Sequence, residues 1–153
     1  MTYVYSVERY AETLPEMLPI YRTHYAELLE RMGEDAANMS PFNPRFDEYI
    51  AANDRGDMVH FLVRKDGVPV GYANVYLSLD MHNQDLIATE DAIFVMPGHR
   101  NGIGRKMTIG IVAALKAAGV KRAHMTAATD PRAAALWGRL GFKKTGVRMT
   151  QFF

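Results

Sequence analysis

The 153-residue chain contains no cysteine. Its absence excludes disulfides, a thiol nucleophile and any metal site built on thiolate. No apolar run approaches the roughly 18 residues that a membrane-crossing helix needs, and no basic segment followed by an apolar one opens the sequence given. A soluble cytoplasmic protein is the expectation, with no membrane partner. Charge of one sign is lacking too: 18 Lys+Arg against 17 Asp+Glu leave a formal +1, so nothing global draws the chain to nucleic acid. Repeats, linkers and low-complexity tracts are missing, and the length suits a single domain, 1–153, with one good core. The histidines are scattered among different segments, with no spacing that would build a metal site.

What is present is a well-marked stretch from Thr89 to Met107. Ala92–Met96 carries strand-formers and ends at Pro97, which cannot donate to a sheet ladder. After a short loop, Ile103, Met107, Ile111 and Leu115 recur every four residues, an apolar helical stripe that ends at Gly119. The loop between strand and helix carries Gly102 and Gly104, which let a ligand approach the backbone, and it opens onto helix N–H groups that have no intrahelical acceptor. His99, Arg100, Arg105 and Lys106 surround it. A phosphate or pyrophosphate is the ligand that suits such a turn. A Walker loop is excluded, because no glycine pair has the required spacing before Lys-Ser or Lys-Thr. A dinucleotide fingerprint is excluded as well, since methionine stands at position 107 where the third glycine belongs. The turn that wraps the pyrophosphate of coenzyme A, Arg/Gln-x-x-Gly-x-Gly/Ala after a strand, remains.

Elsewhere the pattern predicts a strand over 2–8 and a helix opened by a capping box, Thr13-Leu14-Pro15-Glu16, with Pro19 kinking it or delaying its start. Residues 33–42 read as a loop. Asn43-Pro44 signals a second helix stopped by Gly56. From Met58 the period changes to two, and Asp66-Gly67 between 59–64 and 68–77 predicts a hairpin. After the polar turn 80–85, Leu86–Val95 returns antiparallel. Val120–Ala128 reads as a strand that pairs in parallel with an earlier one through the helical crossover. Asp130-Pro131 caps a last helix stopped by Gly141, and 142–153 reads as a final strand whose part 147–153 could pair across a homodimer.

His99-Arg100-Asn101-Gly102-Ile103-Gly104 resembles the coenzyme A turn of the GNAT superfamily of acyl-CoA N-acyltransferases, one residue short of the usual spacing, so that either His99 or Arg100 holds the basic slot. Asp130 to Phe142, with Ala133, Leu136, Trp137, Leu140 and Gly141, is similar to the family's Asn-x-x-Ala-x-x-Leu-Tyr-x-x-Leu-Gly-Phe, with Asp for Asn and Trp for Tyr. The element order is also that of the family. Leu86–Gly104 and His24-Tyr25-Ala26-Glu27 look closest to the small GNAT proteins of bacteriophages and prophages. The resemblance implies an α/β (α+β) GNAT fold: a mixed, mostly antiparallel sheet with a splayed parallel strand pair, flanked by four helices.

It implies acetyl-CoA as co-substrate, bound by main-chain groups at Phe94, Val95 and Met96, by His99, Arg100, Asn101, Gly102, Ile103, Gly104, Arg105 and Lys106, and beside Asp130 and Trp137. The activity implied is direct transfer of an acetyl group to an amine of a small-molecule or macromolecular acceptor. An alkyl ammonium must lose a proton before it attacks, so a base is needed. Strand alternation places Thr89, Asp91, Ile93 and Val95 on one face and Glu90, Ala92 and Phe94 on the other unless a bulge intervenes. Asp91 is the expected base and Glu90 its substitute if the register is offset. His24 and His82 are further groups that could contact the acceptor or relay a proton. Trp137 stands where relatives place a tyrosine that protonates the departing thiolate, a role that indole cannot take. The competing reading is a GNAT-shaped binding module that uses the basic turn for nucleic-acid phosphate without turnover.

Overall fold

A computed structural model describes residues 2–127 and 130–153. The chain runs β1 (Tyr3–Val7), α1 (Tyr10–Met32), α2 (Phe46–Arg55), β2 (Met58–Lys65), β3 (Val68–Leu79), β4 (Leu86–Val95), α3 (Ile103–Ala117), β5 (Arg122–His124) and α4 (Pro131–Arg139), with short 3-10 turns at Gly33–Asn38 and Pro97–His99. The sheet order is β1-β2-β3-β4-β5. The first four strands pair antiparallel, and β4 pairs β5 in parallel. Two apolar layers cover the sheet. Phe61, Val63, Ala73, Val75, Ala88 and Val95 pack under Ile103, Met107, Ile111 and Leu115 of α3, while Leu62, Tyr72 and Phe94 pack under Tyr10, Met17, Ile20 and Tyr21 of α1 and Ala52 of α2.

The hairpin expected at Asp66-Gly67 is present, with positive φ at both residues (49° and 85°) as a two-residue turn of this kind requires. Gly56 stops α2 in the left-handed region. The helix starts are corrected. α1 begins at Tyr10, ahead of both prolines. Thr13 does not cap it: its buried hydroxyl donates to the Tyr10 carbonyl and lies 3.1 Å from His60 Nε2. Glu16, the other half of the expected box, binds Arg64. The helix survives Pro15 and Pro19 because burial outweighs them. Tyr10, Met17, Ile20 and Tyr21 are almost fully buried and are worth roughly 1.5–3 kcal/mol each, against about 3 kcal/mol for each interior proline. α2 begins at Phe46 with Arg45 before it, not at Asn43-Pro44, and its first turn carries Asp47 and Glu48 toward the positive end of the helix dipole.

Two strands differ from expectation. β5 covers only Arg122–His124 of the expected 120–128, whose last residue, Ala128, lies outside the described residues. The ladder stops because side chains take the next backbone groups. Thr126 N–H donates to Glu90 Oε2 at 3.1 Å, and the Thr126 carbonyl accepts from Trp137 Nε1 at 3.4 Å. Residues 142–153 form no strand, with Val147, Met149 and Phe153 largely exposed. A three-residue β5 offers too short an edge to pair with, and the strand on which pairing across a homodimer rested is not formed.

Candidate functional site

The site begins with an irregularity in β4. Asn74 of β3 faces Ala92, but the next residue, Val75, faces Glu90, so Asp91 is the extra residue of a bulge. The bulge turns Asp91 away from the face it would share with Ile93 and Val95, which lie in the α3 layer. Asp91 instead joins Ala92 in lining a cleft of about 760 Å³ between α1, α2, β3, β4 and the 38–46 segment. The Asp91 carboxylate accepts from the Tyr49 hydroxyl at 2.8 Å. Asp91 is exposed at the cleft surface, but the neighbouring walls desolvate its carboxyl enough to raise it from its ordinary value, and the Tyr49 bond offsets part of that rise. Among the described residues no cation pairs with it.

Eight aromatic rings line the cleft, Tyr10, Tyr21, Tyr25, Tyr49, Tyr72 and Tyr76 with Phe42 and Phe46, beside polar residues that include Asn38, Ser40, Asn43 and Asn74. Tyr10 stacks between Tyr21 (5.9 Å) and Tyr49 (5.3 Å). Burial raises the hydroxyl of Tyr10 to about 12 and moves those of Tyr21, Tyr49 and Tyr72 upward as well, so these groups stay neutral. The Tyr21 hydroxyl is buried and makes no hydrogen bond of regular geometry, alone in this among the described side chains, with the Tyr10 hydroxyl close enough to interact with it. His24, expected at the acceptor, does line the cleft. Its Nδ1 lies 2.6 Å from the Tyr72 hydroxyl, and its ring stacks on Phe94 at 4.6 Å. Burial drops it to about 4, which leaves it neutral at ordinary pH. His82 is elsewhere. It sits in the turn before β4, 94% exposed in its side chain, bonded to Asp80 at 3.1 Å and outside the cleft lining.

Glu90 occupies the parting between β4 and β5, which begins after the Thr89–His124 pair. There its Oε2 holds Thr126 N–H. Burial and then the Asp91 charge push its carboxyl up, against the Thr126 bond, from an ordinary 4.5 to about 7. Trp137 is buried on the same segment, against Phe142 at 6.0 Å and bonded to the Thr126 carbonyl. Beyond Thr89 no strand among the described residues pairs with the β5-facing side of β4. The expected main-chain contacts at Val95 and Met96 are partly taken within the chain, since the Val95 carbonyl accepts from Arg100 and the Met96 N–H donates to the Val70 carbonyl of β3 at 2.8 Å.

The turn divides its basic groups. Gly102 sits in the left-handed region (φ 81°) as the residue before α3, and the first helical bond runs from Lys106 N–H to its carbonyl. The N–H groups of Ile103, Gly104 and Arg105 therefore lack intrahelical acceptors. A Cβ on Gly104 would meet only Val95 Cγ2, at 3.9 Å, so neither packing nor strain demands glycine there. Arg105, Lys106 and Asn101 are exposed, and neither Arg105 nor Lys106 pairs with a described acid. These groups suit a pyrophosphate. The two residues that competed for the basic slot are both engaged in holding the turn. His99 Nδ1 lies 3.0 Å from the Tyr3 hydroxyl. Arg100 donates to both oxygens of Glu27 (2.8 and 2.5 Å) and to the Val95 carbonyl (2.8 Å). Glu27, held below the usual range chiefly by Arg100, also takes Arg31 at 2.7 Å, and Arg31 reaches Asp130 at 3.4 Å. Asp130 caps α4 by accepting from Arg132 N–H. Sequence spacing did not show this chain of charges, because Glu27 and Arg100 are 73 positions apart. Among the described residues no group of three or more His, Asp or Glu could hold a metal ion.

Comparison with known proteins agrees with this layout. The structure superposes on the GCN5-related N-acetyltransferase from Ralstonia eutropha JMP134 with a TM-score of 0.76 at 18% identity, covering 99% of each chain. A predicted acetyltransferase with acetyl-CoA from Clostridium acetobutylicum gives 0.73 at 12% identity, over 98% of this chain and 96% of that one. The glucosamine-6-phosphate N-acetyltransferase from Arabidopsis thaliana gives 0.69 at 13% identity, over 100% and 99%. At such identities these likenesses establish the fold, a mixed α/β GNAT fold with a parallel pair at β4 and β5. No curated protein matches the sequence significantly. The model of the acetyltransferase (GNAT) family matches residues 20–142, and the chain belongs to that family.

Proposed function

We propose that this chain, as one catalytic domain in the cytoplasm, transfers an acetyl group from acetyl-CoA directly to an amine held in the aromatic cleft. The observation that carries the reading is the bulge at Asp91, which delivers an unpaired carboxylate to the cleft on the strand that leads directly to the phosphate turn. The resemblance of Leu86–Gly104 to phage and prophage proteins supports a phage-type member of the family.

The exposed N–H groups of Ile103, Gly104 and Arg105, with the Arg105 and Lys106 side chains, would hold the pyrophosphate. The side of β4 beyond Thr89 that no described strand pairs would receive the pantetheine arm, up to Val95, whose carbonyl Arg100 already holds. When bound, the co-substrate supplies an acyl carbon activated as a thioester. Asp91 attracts the ammonium, takes one of its protons, leaves the amine lone pair free to attack and, being exposed, passes that proton on to solvent; Glu90, near 7 and tied to Thr126 N–H in the strand parting, is the substitute base. The C–N bond forms as the C–S bond breaks, and the thiolate leaves with the electron pair; the acylated nitrogen gives up its second proton, which reaches the thiolate through water and leaves an amide and a thiol. Trp137 is not its acid, since indole N–H does not ionise in this range, and a thiol pKa of about 8.5 makes the thiolate a tolerable leaving group.

An amine panel scored by CoA thiol release tests the reading, with Asp91→Asn beside the native chain. The variant should lose roughly 10²-fold in kcat with little change in acetyl-CoA affinity. Full activity with an unchanged acidic limb of the pH profile would remove Asp91 from the reaction. Stabilisation by an oligonucleotide, with none by acetyl-CoA, would replace the enzyme with a phosphate-binding module.

A further inference from the structure

The cleft also carries information about which amine it takes. Its charge is sparse. Of its lining groups only Glu48 and Asp91 are acidic and only Arg45 is basic, with His24 neutral. Glu48 already faces Arg55 at 3.4 Å and Arg45 at 3.9 Å. One carboxylate, Asp91, is left to meet a cation. No unpaired cation is left to meet an anion, because Arg45 points outward, 78% exposed, beside Glu48.

The rest of the wall mixes rings with apolar residues that include Leu28 and Met39 and with the neutral polar Asn38, Ser40, Asn43 and Asn74. Tyr10, Tyr21 and Tyr49 form a continuous stack, Tyr21 meets Tyr72 edge-on at 4.9 Å, and Phe46 lies 6.3 Å from Tyr21. Tyr10, Tyr21 and Tyr72 are almost fully buried behind the wall surface. The rings open to a ligand are the half-buried Tyr25, Phe42, Phe46, Tyr49 and Tyr76, whose faces attract an ammonium and bury apolar groups. The volume, about 760 Å³, exceeds what an ammonium group alone would fill and lies within the range of small-molecule sites.

We infer that the acceptor is a primary monoamine with an aromatic or apolar body and no carboxylate, its ammonium on Asp91 and its body against the tyrosine wall. Polycationic acceptors, such as polyamines and aminoglycosides, would bring charges that the cleft leaves without partners. Amino acids would bring a carboxylate with the same defect, and an unpaired buried charge is costly. The inference rests on the acetyltransferase reading for its chemistry, but not for its binding.

The experiment therefore has two readouts on the native chain: calorimetric binding, and CoA thiol release with acetyl-CoA. The probes are phenethylamine, phenylalanine, spermidine and kanamycin. Phenethylamine should bind most tightly and show a kcat/KM about tenfold or more above each of the others. Tyr76→Leu should raise its KM several-fold, and Tyr76→Phe should restore it. Faster turnover of spermidine, kanamycin or phenylalanine would overturn the acceptor assignment and leave the acetyltransferase reading standing. Thiol release with none of the amines would sink the acetyltransferase reading, and the calorimetry then judges the acceptor alone: tighter binding of any of the other three overturns it.

Discussion

Three residues of the cleft region carry unusual energetics, each with a separate cause. Tyr21 buries a hydroxyl that makes no hydrogen bond of regular geometry, though it interacts with the Tyr10 hydroxyl, and an unsatisfied group costs about 1–3 kcal/mol. Tyr21→Phe keeps the ring and removes the oxygen, so it should raise stability by about 1 kcal/mol, seen as a higher midpoint in urea with an unchanged slope. A lower midpoint would show that the hydroxyl is satisfied. Glu90 has a folded value of about 7 against an ordinary 4.5. Between these values the folded chain binds more protons than the unfolded chain, so stability falls as pH rises through that window, by about 3 kcal/mol at most. Glu90→Gln should flatten that slope, checked by denaturation at pH 5 and pH 8. Asp91 was legible from its place on the strand, but its orientation was not. Simple alternation grouped it with Ile93 and Val95, and a one-residue bulge leaves no trace in the hydrophobic pattern that sequence reading relies on.

At the scale of elements, the hairpin, the meander and α3 were legible because turn residues and apolar spacing agree there. The helix starts were not. Local signals at Thr13 and Asn43 compete with tertiary burial of Tyr10 and Phe46, and burial wins. β5 was read too long for a related reason: Glu90 and Trp137 take the backbone of Thr126 out of the ladder, and such side-chain competition has no periodicity. The turn before α3 permits a clean test. With open space at its Cβ, Gly104→Ala should leave stability within about 1 kcal/mol of the native chain or raise it. Gly104→Asp should fold as well, but it places a carboxylate at the helix N-terminus where a pyrophosphate would lie, and acetyl-CoA binding should be abolished. Unchanged affinity in a thermal-shift titration would refute the phosphate role of the turn.

Across the whole molecule, Arg100–Glu27–Arg31–Asp130 links the basic turn, the C-terminal half of α1 and the start of α4. The Glu27 carboxyl lies below its usual range when folded, so its stabilising effect is present above that usual value and is lost as pH falls through the folded one. Glu27→Gln should therefore lower the melting temperature at pH 7 and have less effect near pH 3. Equal losses at both pH values would mean that Glu27 acts through packing alone.

The order of the sheet also dictates a sequence of assembly. β1, separated from β2 by two helices, and β5, reached across α3, are the strands that must wait for distant chain; β2, β3 and β4 are joined by short turns and pair as immediate neighbours. Local pairings close quickly because little chain entropy is lost, whereas a parallel partner must await its crossover. The bulged strand with Asp91 is thus expected in place before the parting beside it exists, and the slot proposed for the thioester should be among the last parts of the molecule to form.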